Sequence, residues 1–176
     1  MQRRQMIQYL ALGGALSTVG AAYVWLGSDH DHSSLSIAVV LQKLERLASQ
    51  DIEKSGAWSA SQVLNHCAQS VEFSMTGFPE SKSAAFQHTA GALAFSIFSA
   101  RGTMSHSLDE VIPGAPPLVA EGDVMLAMNR LTTALRDFDS YTGELQPHFA
   151  FGPLNKPDYA IAHVLHIDNH LQEFAL

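Results

Sequence analysis

The chain has 176 residues, 47% of them hydrophobic and 15% charged, with a net charge of −7. That length suits one domain. Without a Lys/Arg cluster, the acidic balance excludes a nucleic-acid partner, which would need basic side chains for the phosphates. The single cysteine, Cys67, excludes an intramolecular disulfide, while nine histidines is a high number for this length.

Residues 1–27 stand apart from the rest. Arg3 and Arg4 precede an uncharged run from Gln5 to Gly27, followed by Asp29 and Asp31. The run is long enough to cross a hydrocarbon core, and the arginines would hold its start in the cytoplasm. Arg3-Arg4-Gln5-Met6-Ile7 also resembles a twin-arginine export signal. A membrane anchor and a cleaved signal both remain open, and either predicts a periplasmic or extracytoplasmic domain that touches the membrane only through this segment. Residues 28–34 (SDHDHSS) read as a polar linker to a domain over 35–176.

Beyond the linker, helical periodicity dominates. A first helix is predicted over about 34–49, capped by Ser34, with Leu35, Val39, Val40, Leu44 and Leu47 recurring on one side. A second spans about 59–76, ended by Gly77 and Pro79. Its apolar side carries Val63, Leu64, Cys67, Val71 and Met75, and His66 sits on the shoulder of that side. A third runs over about 82–101, with a seam of Phe86, Ala90, Leu93 and Ile97. The connection 102–122 contains Pro113-Gly114-Ala115-Pro116-Pro117, which forbids regular structure. A fourth helix follows over about 121–139, with Val124, Met128, Leu131, Leu135 and Phe138 in heptad-like spacing. An aromatic-rich loop, 141–156, carries His148, and Pro157 opens the last helix. No stretch alternates with period two for long enough to suggest a sheet. The prediction is an all-α bundle with an extra short helix or long crossover loops.

The last helix, 158–174, holds His163, His166 and His170. At about 100° per residue these lie within an arc of roughly 60°, beside the apolar stripe of Ala160, Val164, Ile167 and Leu171. Imidazoles turned toward a core need a metal ion or a hydrogen-bond network for their nitrogens. His166 and His170 form an i, i+4 pair on one helical face, a spacing used by metal-binding helices. A catalytic site takes three protein ligands and keeps an open position. The third is His163 from the same helix or His66 from the second, and a ligand from another helix converges better. His163 then reads as a buried hydrogen-bonded or supporting histidine, and His148 as a residue at the pocket mouth. His88 and His106 have no supporting context. Asp168 projects away from the histidines, and Glu173 lies toward the exposed side, so no general base is assigned. Trp58 and Cys67 read as packing residues.

Trp58, Val63-Leu64-Asn65-His66 and His166-x-x-x-His170-Leu171 together resemble the DinB/YfiT-like superfamily of four-helix-bundle metalloproteins. The resemblance is closest to an uncharacterised branch, through Gly77-Phe78-Pro79, the run Ile112 to Pro116, Phe151-Gly152-x-Leu154 and the ending from His166 to Phe174. It covers 35–176 and implies a metal triad at His66, His166 and His170. The chain departs from it at Asn169, where relatives commonly carry histidine, and at Glu173, where they commonly carry glutamine. The resemblance implies a divalent metal cofactor (zinc or nickel foremost), an unknown small-molecule substrate, thiol-dependent transfer or hydrolysis, and a homodimer. The alternative expectation is a non-catalytic bundle with a structural metal or a partner-binding face.

Overall fold

The computed structural model describes residues 35–50, 52–54 and 56–175. The twin-arginine-like run and the linker lie outside them. Among the described residues no helix is long and apolar enough to cross a membrane.

The domain is all-α. Helix α1 is Ile37–Leu47, α2 is Ala60–Thr76, α4 is Val124–Ser140 and α5 is Lys156–Leu171. Between α2 and α4 lies α3, built from Ala84–Phe86, a π-helical turn Gln87–Gly91, and Ala92–Arg101. Each start has a local cause, a side chain that accepts from one of the backbone N–H groups left unpaired in the first turn. At α1 the cap is Ser36, two residues after the expected Ser34. At α2 it is Ser59, in a reciprocal capping box with Gln62. Asp123 accepts from Met125 and Leu126 at the start of α4, and Asn155 accepts from Asp158 at α5, where Pro157 occupies the first turn. Gly77, at φ +105°, ends α2 in backbone space that a side chain would strain.

One core joins α1, α2, α4 and α5. Val40, Leu44, Val63, Leu64, Val71, Leu131, Leu135, Phe138, Tyr159, Val164 and Ile167 are each no more than 1% exposed. Cys67 belongs to this core as expected, and burial pushes its thiol pKa up, so it is a packed neutral group. Chain order and core membership make these four the bundle.

The third helix departs from expectation. An apolar seam at helical spacing belongs against a core, but Phe86 is 41% and Leu93 62% exposed. No side chain on any face of α3 is buried and only Gly91 is, so the helix as a whole lies outside the shared core, and the π turn Gln87–Gly91 additionally shifts the phase of the residues after it. The turn serves close docking instead. Gln87 Nε2 donates to the carbonyls of His148 and Phe149, and Gly91 abuts the carbonyl of Ala150 so closely that a Cβ there would collide with it. Thus α3 is fastened to the 148–152 turn, with Phe95 packing on Phe151.

The chain end also differs. Rather than running helically to Phe174, α5 stops at Leu171, and Phe174–Ala175 (β2) pairs antiparallel with Glu53–Lys54 (β1). This two-residue ladder ties the chain terminus to the turn between α1 and α2.

Gly91→Ala is expected to destabilise the domain by roughly 1–3 kcal/mol, because the obstacle is backbone and cannot rotate away. The exposed neighbour Ala90→Ser should stay within about 0.5 kcal/mol of the parent. Denaturant midpoints for the two variants check this, and equal midpoints would mean that α3 docks loosely.

Candidate metal centre

His66 projects from α2, and His166 and His170 from successive turns of α5. The helices face each other across the core, so residues 100 positions apart in the chain meet. His66 Nε2 and His166 Nε2 are 3.1 Å apart, and one donor nitrogen from each of the three rings lies within 4.8 Å of the others. His66 is 3% exposed and His170 fully buried. His163 is not part of the group. Ser74 Oγ gives its hydrogen to the Val71 carbonyl and so accepts from His163 Nε2 at 3.2 Å, while the ring packs edge-on to Phe138 and stacks on Tyr159. It is the buried hydrogen-bonded histidine that the sequence suggested.

Electrostatics make the three imidazoles donors of lone pairs. Burial, and then the cost of a second cation beside His106, lowers the His66 pKa to about 4. Burial, followed by His66 and His106, lowers that of His170 to about 3. His166 is held well below its usual value by burial first and then by the surrounding histidines. At neutral pH the cluster is uncharged, the form that binds a metal. Neither nitrogen of His170 has a hydrogen-bond partner among the described residues, and His66 Nδ1 has none either. A hydrogen-bond network would leave these donors and acceptors unsatisfied at about 1–3 kcal/mol each. A divalent ion would take the lone pair of one of the two His170 nitrogens. Tetrahedral zinc with metal–nitrogen distances of about 2.0–2.1 Å sets nitrogens ~3.3 Å apart, close to the His66–His166 spacing. The widest pair of the group would close by at most about 1.5 Å. The residues present therefore fit a metal.

Several surrounding residues carry more than the sequence suggested. Glu173, expected on the exposed side, has a side chain only 11% exposed and stands 3.8 Å from His170 Nδ1. The reason is the early end of α5: after Leu171 the chain turns into β2, and Glu173 folds back over His170. A carboxylate on the outer nitrogen of a metal-binding imidazole fixes its ring. Gly56 makes room for it, since a Cβ there would strike the Glu173 carboxylate. Burial, then Asp109, raises the Glu173 pKa. Trp58 stacks parallel to His170 at 6.3 Å and meets His66 edge-on at 5.1 Å, so this packing residue walls the site itself. Asp168 points away as expected, to Lys43 at 2.7 Å.

The residue missed outright is His106. It has neither periodicity nor a paired motif to mark it, yet the 102–123 connection brings its ring within 5.1 Å of His166 and 5.2 Å of His170.

A cavity of ≈210 Å³ opens beside the cluster, reaching His66, His106 and His166 and walled by Phe86, Phe98, Met104, Ile112, Phe149 and Phe151. His148 lines it too, and is 7% exposed. Its Nδ1 accepts from the N–H groups of Ala150 and Phe151, and Phe151 stacks on its ring. The neutral ring therefore carries its proton on Nε2. Burial, then His163, lowers its pKa to about 3.

Residues 30–176 match a family model described as a protein of unknown function, DUF1569. The chain belongs to the DUF1569 family. Neither the curated proteins nor the solved structures contain a match. For this DUF1569 protein the site geometry, not a relative, must carry the functional argument.

Two of the buried histidines predict an acid response. Burial lowers the pKa of His163, like that of His148, to about 3, against about 6.5 in an unfolded chain. Their neutral burial contributes stability above pH 6.5 that is lost as pH falls toward 3, because the unfolded chain takes up protons that the folded one refuses. Each group contributes a slope of up to roughly 1.4 kcal/mol per pH unit in that window. Unfolding free energy measured from pH 7 to 4 should fall steeply, and His163→Gln should flatten the slope by about one proton. A parent profile level across the window would contradict this reading.

Proposed function

We propose that this protein is a metal-dependent enzyme of the DinB-like kind, holding a divalent ion through His66, His166 and His170. The observation that carries the reading is the buried group of three neutral imidazoles drawn from two helices, with neither His170 nitrogen hydrogen-bonded among the described residues. The whole-chain resemblance supports it. Zinc and nickel head the candidate ions, as imidazole suits both.

An ion so held acts as a Lewis acid toward a thiol, a water or a carbonyl, the requirement of thiol-dependent transfer and of hydrolysis alike. The chain's own residues do the rest. Trp58 packs parallel to the His170 ring, and Glu173 stands 3.8 Å from its Nδ1, close enough to bond once the site tightens around an ion. The cavity admits a small molecule to the side where His66 and His166 lie, and its aromatic and aliphatic wall favours an apolar body. His148 Nε2–H offers that body a hydrogen bond. The same proposal has the domain act outside the cytoplasm, on the evidence of Arg3-Arg4 and the uncharged run behind them.

Metal analysis of the parent, purified under native metal supply, should find about one divalent ion per chain, and none in the His166→Ala/His170→Ala variant. A parent without metal would end the reading. Thermal melts of the parent with and without chelator separate the roles: a catalytic ion leaves the fold standing when removed, whereas collapse would assign a structural ion. Glu173→Ala, which keeps all three imidazoles, should weaken metal affinity about 10-fold, as measured by competition with a chromophoric chelator. Unchanged affinity would make Glu173 a bystander.

A further inference from the structure

We propose that His106 is a fourth imidazole donor of this centre, supplied by the 102–123 connection and closing the side that faces the cavity. The inference rests on the metal reading above and goes beyond it.

Ring positions are the first support. Four imidazoles bound tetrahedrally through one nitrogen each have centroids roughly 5.2 Å apart, from metal–nitrogen distances of about 2.0–2.1 Å. Here His66–His166 is 5.0 Å, His66–His170 4.8 Å and His166–His170 4.8 Å. His106 adds 5.1 Å to His166 and 5.2 Å to His170. The loop ring therefore stands as far from the two α5 ligands as those stand from their partner on α2.

Tautomer is the second. His106 Nδ1 lies 2.7 Å from the Ser107 carbonyl oxygen. A carbonyl only accepts, so Nδ1 carries the proton and Nε2 the lone pair. A backbone carbonyl on the outer nitrogen is a standard way of fixing a ligand histidine. Nε2 is buried and has no hydrogen-bond partner among the described residues. A residue on an irregular loop thus presents a fixed, unpaired nitrogen at a histidine cluster.

Loop placement is the third. Met104 and Ile112, on either side of His106, are buried, and His106 itself lines the cavity together with His66 and His166. The tight group of three nitrogens does not include His106, so coordination would require its ring to move toward them. The resting centre is then a four-nitrogen site, and a molecule entering the cavity reaches the ion by taking the place of His106.

X-ray absorption on the metal-loaded full chain counts imidazoles directly, and azide serves as the exogenous probe. His106→Phe keeps the ring and its packing while removing both nitrogens. The parent should show four imidazoles and the variant three, and azide should bind the cobalt-loaded variant at least tenfold more tightly, read from the visible spectrum. Three imidazoles in both proteins with equal azide affinity would overturn the proposal and leave the three-histidine centre intact. A parent that binds no metal would overturn both, a result the imidazole count cannot mimic. If the phenylalanine variant melts early, His106→Asn replaces it, and the count on the parent decides the question without either.

Discussion

Burying His170 is the constraint on which the rest of the site depends. Its ring is inaccessible, and neither nitrogen has a hydrogen-bond partner among the described residues, an arrangement that a metal ion could satisfy. The surroundings are arranged for that outcome. Trp58 stacks on one face of the ring, Glu173 stands at the outer nitrogen, and Gly56 leaves the space that Glu173 occupies. The short β1–β2 ladder, too small to stabilise a domain by itself, earns its place by returning Glu173 over the end of α5.

A second layer of organisation lies outside the shared core. Helix α3 contributes none of its side chains to that core and is held through Gln87, Gly91 and the 148–152 turn. Its Phe86 and Phe98, with Phe149 and Phe151, wall a cavity that ends at the histidines. The bundle supplies rigid placement of the two helices that bear His66, His166 and His170, while the less regular segments supply the wall, the hydrogen-bond donor at His148 and the loop carrying His106. This division leaves a fixed frame beside a cavity of the size and lining that small-molecule sites have.

Much of the frame was legible in the chain. Capping and stop signals at Ser59 and Gly77, Pro157 in the first turn of α5, and apolar periodicity over four helices are local effects, set within a few residues of where they act. The i, i+4 spacing of His166 and His170 is local as well. His66 was legible as a shoulder position, one step from certainty, because a helical projection gives direction but not the identity of the facing helix. What misled was every place where tertiary contacts overrode a regular repeat. The seam of α3 failed because the whole helix docks on the 148–152 turn and the cavity wall, outside the shared core. Glu173 was placed outward because α5 was extrapolated past Leu171, where strand pairing with the distant Glu53–Lys54 ended it.

By itself, the sequence determined the fold class, the helices and their caps, and which face of the last helix carries imidazoles, since these follow from backbone hydrogen bonding and the burial of periodic apolar side chains. Only the tertiary structure decided that His66 meets His166, that Glu173 returns to His170, and that His106 from a proline-rich connection joins them. Those pairings span tens of residues, and an irregular loop has no period from which the direction of a side chain could be read.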